Sequence, residues 1–294
     1  MLRVALLDLL VERTTFGHEG NLQMISPLSE HGEVEVWLLT PQMQDGAVGG
    51  VVPQMLGVED VPHWDGDFDF ASLMSLLPAS EGGGGTIHLR RMACPASEDI
   101  AGWLQQAGLD ALYCTGSRRN VSQWEDWMAP SAELMRCAVE VDIPTLGVCF
   151  GHQLLCQAMG GEVERSDASS DMVCEMEKTG FGGIDPLFAG IENLRGLFTH
   201  QDHVVAVGDD FITLARSQHT PYAAVRVCRG KQMLNAYGVQ FHPEAYPEMI
   251  QRSLEAGYLT LEESNSVYGE HDGVKVLANF ASVVLSRIKK SHES

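Results

Sequence analysis

Three residues in this chain have the side-chain types and the settings that nucleophilic catalysis needs: Cys149, His242 and Glu244. Cys149 stands between Gly147 and Gly151, two positions away on either side. The run Thr145-Leu-Gly-Val before it reads as a short apolar strand. After it, Leu154, Leu155, Ala158 and Met159 fall at helical spacing, and Gly160-Gly161 supply a stop. Cys149 is therefore expected on a tight strand-to-helix turn, with small neighbours that let the backbone reverse and leave the thiol exposed. That is the nucleophile-elbow pattern with cysteine in place of serine. A thiol there also feels the N-terminal end of the following helix, which favours thiolate. The other six cysteines (Cys94, Cys114, Cys137, Cys156, Cys174, Cys228) read as small buried hydrophobes.

A weak nucleophile needs a base. His242-Pro243-Glu244 follows the apolar run Tyr237-Gly-Val-Gln-Phe. Pro243 cannot extend a strand ladder, so the strand is expected to end there and project the imidazole at its C-terminal edge. Glu244 can return to the ring and fix its tautomer, completing a Cys-His-Glu triad.

The segments GVCFGHQ (147–153) and VQFHPE (239–244) are similar to the two signatures of the class I glutamine amidotransferases. The chain most resembles stand-alone members similar to the glutaminase half of GMP synthase, which also carry a TGS loop and a His-Gln-Asp-x-Val segment, here at 115–117 and 200–204. The resemblance covers roughly residues 109 to 250. It implies that Cys149 attacks the glutamine side-chain amide, forming a γ-glutamyl thioester. His242 would move the proton and Glu244 would orient His242. The N–H groups of Gly116 and Phe150 would form the oxyanion hole. Gln153, with Gln201, Asp202 and His203, would hold the substrate. The loop Thr115-Gly116-Ser117-Arg118-Arg119 departs from the family's Gly-Gly-Pro-rich version. Arg118-Arg119 could meet a substrate carboxylate or phosphate, or be a solvated pair. His152 and His200 read as supporting residues.

The remaining composition narrows the class. The formal charge is −21, from 40 acidic and 19 basic residues, which disfavours nucleic acid and anionic membranes as partners. Seven cysteines without a C-x-x-C pair argue against disulfides or a zinc ribbon and for a reducing, cytoplasmic setting. Asp8 inside the first apolar run makes it a strand rather than a signal peptide. No metal or other cofactor is expected. No ATP-pyrophosphatase or Walker motif occurs, so an ammonia acceptor would belong to a partner synthetase chain.

Strand and helix patterns alternate. Strands are expected at Val4–Leu7, Val34–Leu39, Thr86–Leu89, Leu109–Cys114, Phe211–Ser217 and Ala223–Arg229, the last two as an antiparallel ribbon. Helices are expected around 18–30, at Ser97–Ala107 with Ser97 as a cap, at 122–140 and at 273–290. Residues 41–66 read as a long loop, Glu81–Gly85 as a linker, and 163–190 as irregular or short-stranded. The fold class is α/β: a mainly parallel, flavodoxin-like sheet with helices on both faces. The chain reads as one domain (1–294), with an elaborated part at 1–90, a motif-bearing core at 91–250 and a helical part at 251–294. Two other enzyme readings share the triad, a γ-glutamyl peptide hydrolase and a homoserine acyltransferase-like enzyme. A non-catalytic scaffold is the fourth.

Overall fold

The architecture comes from a computed structural model that describes residues 1–10, 14–43, 87–92, 94–255, 257 and 259–293. The expected loop at 41–66 and the linker at Glu81–Gly85 lie almost wholly outside the described residues.

Apolar runs of the kind that start the chain form the centre of one sheet. β1 (Leu2–Leu7) lies between β2 (Val34–Leu39) and β4 (Ala111–Cys114), and β3 (Ile87–Met92) pairs with the far side of β2. β5 (Thr145–Val148) follows β4, and β10 (Gln232–Val239) follows β5. All five of these pairings are parallel. Beyond β10 the sheet continues antiparallel through β9 (Ala224–Arg229), β8 (Phe211–Arg216), β6 (Glu162–Lys178) and β7 (Leu194–Ala206).

Helices cover both faces, as alternation of strand residues requires. Val4 and Leu6 pack with Met24, Ile25 and Leu28 of α1 (Thr14–Ser29) and with Val276, Leu277 and Phe280 of α7 (Gly273–Glu293). Ala5 and Leu7 face the other way. Their cluster contains Leu104 of α2 (Ile100–Ala107), Met135 of α3 (Met128–Glu140) and Leu154 of α4 (Phe150–Ala158). The strand order reverses between β1 and β4, with both strands still parallel, and ligand clefts of parallel sheets open at the C-terminal ends of strands at such a switch point.

Four local expectations change. The segment read as irregular is largely one strand: β6 runs for 17 residues, with its polar sequence held by the ladder to β7. The helix expected at 122–140 begins only at Met128, because the Ser122 N–H is drawn to the Asp202 carboxylate at 2.8 Å. Ser97 does not cap α2: it starts a 3-10 turn, and no side chain caps either segment. The last parallel strand stops at Val239 rather than His242, although the Gln240 N–H still bonds Ala223 O at 2.9 Å.

Candidate active site

Cys149 joins β5 to α4 with φ 50° and ψ −102°, a backbone that a residue with a Cβ rarely adopts. The turn is closed on all sides. The Cys149 N–H donates to Val239 O at 2.8 Å, and Cys149 O accepts from the Gln153 N–H at 3.1 Å. A Cβ on Gly147 would stand 2.4 Å from Gly151 O, and one on Gly151 would stand 2.4 Å from Cys114 O. Both clashes are with backbone, so only glycine fits the frame that the sequence displayed. Phe150 fills the core behind the elbow, stacked on Trp127 at a centroid distance of 5.6 Å.

His242 is held from both ends. Its N–H donates to Leu197 O at 2.7 Å, and its Nδ1 lies 2.8 Å from Glu244 Oε1. Nε2 is buried with no hydrogen-bond partner among the described residues. Burial alone would lower the imidazole pKa. The Cys149 thiolate, then the Glu244 carboxylate, outweigh burial and hold it well above its ordinary value. The loop after β4 closes the site. Leu9 N–H donates to Thr115 Oγ1 at 2.9 Å, and that hydroxyl donates to Gly116 O at 2.9 Å. A Cβ on Gly116 would lie 3.0 Å from His242 Cε1 and 3.8 Å from Cys149 Cβ. Gly116, Cys149 and His242 therefore converge on one point, as their places at strand ends imply.

These residues line a cavity of about 360 Å³. Gln153, Gln201 and Asp202 line it as well, but His203 does not. Gln153 is tied into the protein: its Nε2 donates to Asp202 O at 2.6 Å and to Gln240 Oε1 at 3.2 Å. It holds the β7 strand in place with that nitrogen, so Nε2 is not available to a ligand. Asp202 is likewise engaged, by Ser122 N–H and by Arg165 at 3.4 Å. Gln201 Nε2 donates to Ser166 O at 2.9 Å. Arg118 and Arg119 stand at the cavity wall, with Arg119 4.0 Å from Glu125.

His152 is buried against Gly238, and burial pushes its pKa down to about 3, so it is a neutral core residue. His200 lines the cavity, closer to the chemistry than its supporting role suggested. Burial, then the nearby His242 charge, push its pKa to about 3, so it presents a neutral ring. Sequence reasoning missed a whole wall: Gly17, Gly20, Asn21 and Met24 of α1, with Met249 and Ile250 of α5 (Pro247–Glu255) and Val267 of α6 (Leu261–Val267). The signal available was the pair Gly17 and Gly20, two small residues one turn apart on one side of a mixed-polarity helix.

The family model described as "Glutamine amidotransferase class-I" matches residues 87–258, more than half of the chain. The chain belongs to the class-I glutamine amidotransferase family. Among the relatives of this amidotransferase-family chain is the glutamine-hydrolyzing GMP synthase of Lactococcus lactis, 37% identical over 106 residues, which are 36% of this chain and 19% of that protein. The separate glutamine-hydrolyzing GMP synthase subunit of Pyrococcus abyssi is also 37% identical over 106 residues, 36% of this chain and 53% of that protein. The match thus spans about half of the shorter relative and a fifth of the longer enzyme. A solved glutamine amidotransferase of Thermotoga maritima shares the fold over 97% of both chains, with a TM-score of 0.58 and 14% identity. Among the described residues, no helix is long and apolar enough to cross a membrane.

Proposed function

We propose that this amidotransferase-family chain hydrolyses the side-chain amide of glutamine through a Cys149 thioester and delivers the ammonia to a partner synthetase. The observation that carries the reading is the meeting of three groups in one cavity. They are a cysteine on a strained elbow, a histidine with Nε2 unengaged, and a glutamate bonded to that histidine's Nδ1 at 2.8 Å. His242 takes the thiol proton, Sγ attacks the amide carbon, and the protonated imidazole returns the proton to the departing nitrogen. Water then attacks the thioester and releases glutamate. Phe150 is the first residue of α4, so its N–H has no partner within the helix, and in this reading it serves with the Gly116 N–H as a donor to the developing oxyanion. Two such donors each contribute roughly 3 kcal/mol to the barrier.

A second reading draws on the cavity's apolar end, formed by Met24, Met249, Ile250, Leu259 and Val267. Ammonia needs no such wall, whereas an amine or peptide leaving group would bury surface against it, as in hydrolysis of γ-glutamyl peptides. The chain as a whole acts as one domain in either reading, with a reducing, cytoplasmic setting.

The test is ammonia release from glutamine and amine release from γ-glutamyl dipeptides by the wild-type chain and Cys149→Ser. Release from glutamine, lost in the variant, is the expected result. Release only from dipeptides would select the second reading, and wild-type turnover by Cys149→Ser would sink both.

A further inference from the structure

β7 is the last strand in the sheet order, which leaves one of its edges for other partners. Alternate residues of a strand turn their N–H and C=O groups to the same edge. Three alternate residues of β7 use that edge for the site. Leu197 O accepts the His242 N–H at 2.7 Å, and Thr199 O faces Cys149 Sγ at 3.9 Å. Arg195 is held by the residue just before α7. Its N–H donates to Asp272 Oδ2 at 2.7 Å, and its O accepts from the Asp272 N–H at 3.0 Å.

His271, next to Asp272, reaches the other end of the catalytic segment. Its Nε2 lies 2.8 Å from Ala245 O, and its Nδ1 accepts from the Gly273 N–H at 3.1 Å. A carbonyl oxygen only accepts, so Nε2 carries the ring proton and Nδ1 the lone pair, which fixes a neutral tautomer. Burial keeps the ring's pKa below its ordinary value. The Ala245 bond and the Glu244 and Asp272 carboxylates act the other way, and His242 adds to the lowering. A Cβ on Gly273 would run into Pro243 O, so this turn packs directly on the His-Pro-Glu main chain. Two residues of that segment are thus pinned, His242 through its N–H and Ala245 through its O, with Glu244 between them. Both pins lead back to His271-Asp272: one directly, the other through the start of β7. Leu197 and Ala245 also share one small buried apolar cluster.

We propose that His271 is a positioning residue for the reaction: its Nε2–H, bonded to Ala245 O, sets where the Glu244 carboxylate meets the His242 ring. The inference rests on the triad reading above. His271 is not among the residues that line the cavity, so it acts on the chemistry only through Glu244 and His242.

The test compares His271→Asn with His271→Gln by steady-state ammonia release from glutamine and by ring-proton NMR of His242. Asparagine keeps an acceptor for the Gly273 N–H but is too short to reach Ala245 O, whereas glutamine extends an amide N–H to it. Expected for His271→Asn is a kcat lowered roughly two- to tenfold, the rate equivalent of one hydrogen bond, with KM unchanged. The His242 titration should move to lower pH, because the carboxylate that helps to raise it is less well placed. His271→Gln should restore both. Wild-type kcat in His271→Asn, a lower kcat with an unmoved His242 titration, or equal losses in the two variants overturns the assignment and leaves His271 a packing residue. If His271→Asn folds poorly, His271→Gln decides by itself. A folded Gln variant with wild-type kcat and His242 titration supports the role given to the N–H, and a change in either overturns it. Should Cys149→Ser release ammonia like the wild type, the triad reading itself fails and His271 has nothing to position.

Discussion

Replacing Glu244 by Gln removes one negative charge and little else. The contact it alters is the 2.8 Å bond from Oε1 to His242 Nδ1, between side chains that are both largely buried. An amide oxygen can still accept from Nδ1–H, so the ring keeps its orientation, but the imidazolium formed during turnover loses its counter-charge. A hydrogen bond to a charged group is worth about 1.5–3 kcal/mol. At about 1.36 kcal/mol per factor of ten, Glu244→Gln should lower kcat by roughly ten- to two-hundredfold. The carboxylate also helps to raise the His242 pKa against burial, so its loss should move the ring's titration to lower pH. A histidine whose folded-state pKa is raised contributes stability that is complete below its unfolded value of about 6.5 and fades as pH climbs through the folded value. The stability deficit of the variant from this source should therefore be largest in acid and disappear in alkali. The assays are initial rates of ammonia release against pH, ring-proton NMR of His242, and melting temperatures at matched pH. Wild-type kcat together with an unmoved His242 titration would refute the role given to Glu244.

Two further outcomes follow from the elbow. Iodoacetamide should label Cys149 first, because burial raises the thiol pKa of Cys94 (to about 12), Cys114, Cys137 (to about 11), Cys156, Cys174 and Cys228; peptide mapping that finds Cys114 or Cys156 modified sooner contradicts this. Gly151→Ala drives a Cβ to 2.4 Å from Cys114 O and should cost about 1–3 kcal/mol or more and abolish turnover, whereas a denaturation midpoint equal to wild type would show that the turn can open.

The catalytic motifs were legible because each rests on a local backbone requirement. Gly147 and Gly151 frame Cys149 since no side chain fits there, and the His242-Pro243-Glu244 run places the orienting carboxylate two residues from the base. The parallel half of the sheet was equally plain, since strands buried on both faces must be apolar throughout, as Val4–Leu7 and Ala111–Cys114 are. β6 was not, because its 17 residues are held by backbone bonds to β7 and carry few apolar side chains to betray them. The start of α3 was hidden for a related reason: a carboxylate 80 residues away, on Asp202, captures the Ser122 N–H. The same long-range packing decided the rest of the cavity. Gln153 commits its Nε2 to Asp202 O, and α1 brings Gly20 and Asn21 to the wall that Glu244 also lines, across more than two hundred residues of sequence. The sequence by itself named the nucleophile, the base and the orienting carboxylate, whose settings are written in adjacent residues. Only the tertiary structure decided what faces them, because that depends on which helix is close-packed against which strand end, and no local pattern encodes it.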